Sequence, residues 1–355
     1  MRFTFKFILI LQCYSNVRNS VLIQTDENIN FPVYWNIPSF QCKSHKIYFS
    51  NITGKYNIVQ NKNDSFRGEE ISILYDPGNF PAILENVQTK ELIFRNGGVP
   101  QEGNLTLHFL LFEDAINQLI PDVNFNGIGI IDFESWRPVY RQNWGTLSPY
   151  QDLSIKVERQ KHPTWTKKQL TDEARRRFEL FARDFMQETL YLVNELRPAA
   201  KWGYYAYPYC FNMAPNNMET ECSQQVVQEN DRTKWLFSTS TAYYPSLYFS
   251  QSVLTSDQMI AQMIQGRIKE SQRIIRTLNK VPVKPKIIPY IWLKYRDTEE
   301  YMTKENLATV LSVLKSMNTD GVIIWGSSKD VNSKRNCQML YDYVDKILGP
   351  ILLGY

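Results

Sequence analysis

Several features are scarce in this 355-residue chain, and each scarcity closes off a class of function. Histidine occurs only at His45, His108 and His162, which are scattered, and no Cys-x-x-Cys pair is present. Without a metal-ligand spacing, no metal and no other cofactor is expected. Charge of one sign is not in excess: 40 Lys and Arg face 36 Asp and Glu, for a net charge of +4. That balance is too mild for a nucleic-acid partner, although it does not oppose an acidic polysaccharide. Beyond the N-terminus no apolar run is long enough to span a bilayer, so no membrane anchor is expected. Low-complexity tracts, long linkers and short repeats are also missing, which leaves one large folded domain as the simplest organisation.

What is present points outward from the cell. The first residues, Met1-Arg2-Phe3-Thr4-Phe5-Lys6-Phe7-Ile8-Leu9-Ile10-Leu11, combine a basic end with a short apolar stretch. They read as a secretory signal peptide over residues 1–20, leaving 21–355 as the secreted, extracellular domain. Its removal takes Cys13 and leaves Cys42, Cys210, Cys222 and Cys337. Four cysteines in a secreted chain suggest two disulfides with three possible connectivities, of which Cys210 with Cys222 is a local staple. Asn51, Asn63 and Asn104 each begin an Asn-x-Ser/Thr acceptor site for glycosylation, and Asn104 also stands where a helix starts. Aromatic residues make up 14 %, with 8 Trp and 21 Tyr. Most are expected in the core, but such rings also cover the apolar face of a sugar.

Strand-like runs recur at 33–36, 71–75, 127–133, 201–207, 246–249, 286–292 and 321–325. Helical spacing is found between them at 104–120, 170–197, 255–279 and 303–317, and a last helix over 338–348 is expected to stop at Gly349-Pro350. In the 170–197 helix Arg175, Arg176 and Arg177 read as a solvated face. Alternation of the two kinds of element predicts a parallel sheet with crossover helices. Seven or eight strands over this length favour a closed, TIM-like (β/α) barrel of α/β class, whose chemistry sits at the carboxyl ends of its strands.

Asp132 and Glu134 lie at such an end, after the β-branched run Gly127-Ile128-Gly129-Ile130-Ile131. Side chains at i and i+2 of a strand point the same way, so the two acids converge on one pocket. Paired carboxyls beside aromatic rings are what cleavage of a sugar–sugar bond asks for. The competing reading is an ordinary strand-end pair that caps a helix or binds Arg137.

The run Ile131-Asp132-Phe133-Glu134-Ser135-Trp136-Arg137-Pro138, followed by Tyr140-Arg141-Gln142-Asn143-Trp144, resembles the active-site segment of the hyaluronidases of insect venom (glycoside hydrolase family 56). Other matching segments follow in the same order. They include Tyr34-Trp35-Asn36-Ile37-Pro38, Tyr75-Asp76-Pro77-Gly78, Trp202-Gly203-Tyr204-Tyr205-Ala206-Tyr207-Pro208-Tyr209-Cys210 and Ile324-Trp325-Gly326-Ser327-Ser328. The resemblance covers nearly all of the chain after the leader.

It implies a distorted (β/α) barrel with disulfides Cys42–Cys337 and Cys210–Cys222. It also implies a monomer whose partners are hyaluronan and related glycosaminoglycans. The implied reaction cleaves internal β-1,4 bonds with retention, the substrate's own acetamido oxygen serving as nucleophile. By the same resemblance Glu134 is the general acid and then the base, its pKa raised by an ionised Asp132, and Asp132 orients the acetamido group. Tyr205 and Tyr248 hydrogen-bond around that group and Trp325 packs on it. Arg137, Arg267, Tyr75, Asp76, Ser327 and Ser328 are implied substrate contacts. Ile291 stands where the venom enzymes tend to carry an aromatic, and the chain ends without the Cys-rich module of the mammalian relatives. Two rival functions remain: a catalytically weak, hyaluronan-binding or allergen-like relative, and a hydrolase of an uncharged N-acetylated polymer. Retention of both acids argues against the first, and Arg137 and Arg267 argue against the second.

Overall fold

The computed structural model describes residues 31–354 apart from 215, 216, 279, 280 and 282. The expected leader, with Cys13, lies outside the described residues. Eight short parallel segments form the central sheet: β1 (Val33–Asn36), β2 (Ile71–Tyr75), β3 (Ile128–Asp132), β4 (Lys201–Tyr204), β5 (Ala242–Tyr243), β6 (Lys286–Ile287), β7 (Tyr290–Trp292) and β8 (Val322–Trp325). Their ladders run β2–β3–β4, β5–β6 and β7–β8–β1. A few backbone hydrogen bonds carry the sheet between these groups. The Thr241 amide donates to the Trp202 carbonyl (2.8 Å) and the Ile323 amide to the Pro289 carbonyl (2.9 Å). β6 and β7 follow one path interrupted at Pro289, which has no N–H to give to a ladder.

The seam between β1 and β2 is bridged differently. Val59 pairs with β1 through Trp35 and Val33 (2.8 Å each). Two residues on, the Asn61 side chain clasps β2: its Oδ1 accepts from the Glu70 and Ile71 amides, and its Nδ2 donates to the Ile71 carbonyl. A connecting segment therefore stands in for a direct β1–β2 ladder, which is the distortion of this barrel.

Around the sheet run α1 (Leu105–Leu119), α2 (Ser148–Lys161), α3 (Lys167–Leu196), α4 (Asp257–Thr277), α5 (Lys304–Ser316) and α6 (Lys334–Tyr343). Side-chain caps from Asn104, Thr166, Ser256, Thr303 and Ser333 satisfy amides that the first turn leaves free. The last helix does not stop at Gly349-Pro350. It passes through a π turn over Val344–Leu348 into a helix over Gly349–Gly354. Pro350 lies in that helix's first turn, where a missing N–H is not felt. Expected strand 246–249 is likewise corrected. The strand of that region is Ala242–Tyr243, and Ser246 makes only an isolated bridge to Tyr290.

Strand alternation divides the core. Ile71, Ile73, Ile128, Ile130, Tyr290 and Ile323 pack inside the sheet. Leu74, Ile131, Val322 and Ile324 face the helical layer. Ile291 belongs to that outer layer, so it leaves the cleft wall untouched. Truncating a fully buried residue such as Ile130 to Ala costs about 2–5 kcal/mol.

Cys42–Cys337 and Cys210–Cys222 are both bonded. Asn51, Asn63 and Asn104 are exposed. Asn104 uses its side-chain oxygen to cap α1, accepting from the Leu107 amide (2.9 Å).

Candidate active site

The inward register of β3 runs through Ile128 and Ile130 to Asp132 and, one step past the strand, Glu134. Phe133, between the acids, points outward and stacks on Phe80 at 4.1 Å. Alternation on a strand packed on both faces thus brings the carboxyls to one place. They are hydrogen-bonded to each other. Glu134 is exposed to the cleft, and Asp132 beside it is half-buried.

Neither acid is paired with a cation, and Arg137 forms no ion pair with them among the described residues. Burial, then the charge and hydrogen bond of Glu134, push Asp132 up to about 8. Burial also raises Glu134, while its hydrogen bond to Asp132 and the nearby Arg137 and Arg296 pull it down. The pair titrates as a unit that keeps one proton through neutral pH. Burial raises both carboxyls above the ordinary range, so the proton belongs to the pair. Asp132 is deeper in the sheet, and Asp76 adds a further negative charge near it.

The acids lie where two cavities meet. The first, of about 500 Å³, is lined by Asp132, Glu134, Tyr205, Tyr248, Trp325, Ser327 and Ser328 among others. The second, of about 630 Å³, again includes Glu134, Tyr205 and Tyr248, and adds Arg137 and Arg267. Tyr205 follows β4 in the inward register, and its hydroxyl donates to Ser246 Oγ (3.2 Å). Trp325, the last residue of β8, stacks on Tyr248 at 5.7 Å and donates through Nε1 to the Tyr75 hydroxyl (3.0 Å). Tyr75 therefore stands at the rim, half exposed, tied to the cleft through the tryptophan.

The two arginines are held without acids. Arg137 lies among Trp144, Tyr209 and Phe211, its guanidinium 4.9–5.5 Å from the three ring centres. One of its nitrogens donates to the Gln142 carbonyl (2.6 Å), while Nε is buried with no protein partner. Arg267 donates to Asn212 Oδ1 (3.0 Å) and to the Ser246 carbonyl. Burial lowers it to about 10.

Three expected contacts are otherwise engaged. Asp76 is gripped by Arg95 in a two-point ion pair (2.5 and 2.8 Å) and lines neither cavity. Its backbone amide donates to the Asp132 carbonyl (2.7 Å), so the clamp lies directly beside the acid pair. Ser327 binds Asp330 through its amide and hydroxyl, and Ser328 accepts from Gln41. Trp292 and Arg296 also line the first cavity and were not singled out from sequence. Trp292 was findable, because it stands two residues beyond inward-facing Tyr290; Arg296 lies in a charged loop with no such signal. Among the described residues no cluster suited to a metal ion occurs.

Comparison with known proteins gives this geometry a family. The hyaluronidase model of glycoside hydrolase family 56 matches residues 22–354. The chain is 46 % identical over 321 residues to the hyaluronidase of Apis mellifera, covering 90 % of this chain and 83 % of that one. Identity to hyaluronidase A of Vespula vulgaris is also 46 %, over 91 % of this chain and 96 % of the relative. Among solved structures, bee venom hyaluronidase in complex with a hyaluronic acid tetramer aligns with a TM-score of 0.87 at 44 % identity, covering 91 % and 98 % of the two chains. The disulfides, the sheet and the carboxyl pair at its strand ends thus sit in a chain that belongs to the hyaluronidase family, glycoside hydrolase family 56.

Proposed function

We propose that this chain is a secreted endo-β-N-acetylhexosaminidase that hydrolyses internal β-1,4 bonds of hyaluronan, and chondroitin more weakly. The observation that carries the reading is the proton-sharing pair Asp132–Glu134 at the junction of two cavities, with cation-bearing walls on one side. An N-acetylated sugar seated against Tyr205, Tyr248 and Trp325 brings its acetamido N–H to Asp132. That contact requires an anionic acceptor, so the shared proton passes to Glu134, where the reaction needs it. The acetamido oxygen then attacks the anomeric carbon, the glycosidic bond breaks, and its oxygen takes the proton from Glu134. Glu134, now ionised, deprotonates a water that opens the cyclic intermediate from the opposite face. Two inversions give retention. Asp132 stabilises the positive charge that develops on the acetamido nitrogen in between.

Arg137 and Arg267 supply positive charge for a uronate polymer, which an uncharged substrate does not need. Residues 1–20 act as the secretory leader in this reading, and the mature chain works as a monomer without a membrane anchor. No helix among the described residues is long and apolar enough to cross a membrane.

The test is product analysis on hyaluronan with wild type and Glu134→Gln. Wild type is expected to release even-numbered oligosaccharides ending in N-acetylglucosamine, and the variant to release almost none. Failure of wild type to release them, or full activity of the variant, contradicts the proposal.

A further inference from the structure

We propose that Arg296 is a specificity-determining residue that binds a uronate carboxylate of the polymer at the point where the two cavities join. This rests on the hyaluronan reading above. Four residues are shared by both cavities: Glu134, Tyr205, Tyr248 and Arg296. The first three belong to the reacting centre, so Arg296 faces that centre from the opposite loop. Its charge is felt there, since it draws the pKa of Glu134 down and that of Arg267 down.

Arg296 is available for a ligand. Its side chain is exposed, and its guanidinium makes no hydrogen bond or ion pair with a described residue. Its backbone is nevertheless fixed. The Arg296 amide donates to the Phe249 carbonyl (2.9 Å). The adjoining Asp297 carboxylate is turned to the Gln251 and Ser252 amides and the Ser252 hydroxyl and makes no ion pair with Arg296. A loop tied at both residues that aims an unmatched cation at the cleft is pre-organised for an anion.

The chemistry of the substrate supplies that anion. In a polymer where uronate alternates with N-acetylhexosamine, the cleaved bond always has a carboxylate beside it. That carboxylate must approach Asp132 and Glu134, which repel it. A guanidinium at the junction offsets the repulsion and favours charged over uncharged polymers.

The experiment compares wild type, Arg296→Gln and Arg296→Lys on hyaluronan and on hyaluronan whose carboxyls have been reduced to alcohols, at low ionic strength. For Arg296→Gln the ratio of kcat/KM on hyaluronan to that on the reduced polymer is expected to fall about fivefold, mostly through KM. Arg296→Lys should recover part of the ratio, and the melting temperature should hold within about a degree for an exposed, unpaired side chain. An unchanged ratio, whether activity is kept or falls equally on both polymers, overturns the assignment. Should wild type fail to cut hyaluronan at all, the proposed function fails first and this inference with it.

Discussion

Glu158, in the helical layer, and Asp132, half-buried in the barrel, are neutralised in opposite ways. Glu158 has no solvent contact and lies against the Arg177 guanidinium (2.5 Å). The same pattern recurs at Glu229, held by Arg141 and Gln142, at Glu270, held by Arg273, and at Asp330, held by Lys294 and Trp292. Every one of these acids has a base. Asp132 and Glu134 have only each other. Burial acts to raise Glu229, but Arg141 and Gln142 outweigh it and hold the group below its usual range, whereas Asp132 is pushed up to about 8. These four carboxylates of the helical and loop layers are each paired with a cation. The pair at the cleft is left to hold a proton, which is the form a general acid requires.

This contrast can be broken residue by residue. The largest effect is expected from Glu134→Gln, which should lower kcat on hyaluronan about a thousandfold without lowering the melting temperature. Asp132→Asn comes next, with a loss of about a hundredfold in kcat and a gain in stability. The sign follows from linkage: the folded-state pKa of Asp132 lies above its unfolded value, so its favourable contribution is complete at acid pH and is lost as pH rises through about 8. Melting curves at pH 5 and pH 9 should therefore show the variant gaining on wild type as pH rises; a gap that shrinks contradicts the assignment.

The helical layer should behave in the reverse manner. Glu158→Gln takes the buried partner from Arg177, leaving it Glu102 and the Gln101 carbonyl, and is expected to cost about 2–4 kcal/mol in denaturant unfolding while kcat of the folded enzyme stays the same. Smallest is Arg95→Gln. Releasing Asp76 leaves its charge uncompensated beside Asp132, so the alkaline limb of the pH–rate profile should move to higher pH. A shift in the other direction would show that Asp76 does not act on the pair.

The barrel was legible where burial wrote a period into the chain. Ile128, Ile130 and Ile131 announce β3, and alternation carries directly to Asp132 and Glu134. The expected helix 104–120 is found as Leu105–Leu119, with Asn104 as its cap. Where the buried face is polar, the signal disappears. Helix α2 turns Tyr150, Ser154 and Glu158 inward, so it carries no apolar stripe to read. Arg177 was misread as solvated for the same reason, because its partner Glu158 lies 19 residues away on that unread helix. Strand β5 has two ladder residues, too few to show alternation, and Pro245 separates it from the 246–249 run that was expected to be a strand. Two residues apart, the acids of the pair could be found from sequence. Its surroundings could not: the Arg95–Asp76 clamp spans 19 residues, and Arg296 comes to Glu134 from a distant loop.

The most direct measurement is kcat/KM on hyaluronan as a function of pH at constant ionic strength, since this quantity reports the ionisation of the free enzyme. A shared proton predicts activity that persists through neutral pH and falls with an apparent pKa near 8, as that proton leaves the pair. A profile already falling below pH 5 would mean that both carboxyls ionise as ordinary acids, and that Asp132 and Glu134 hold no proton to give.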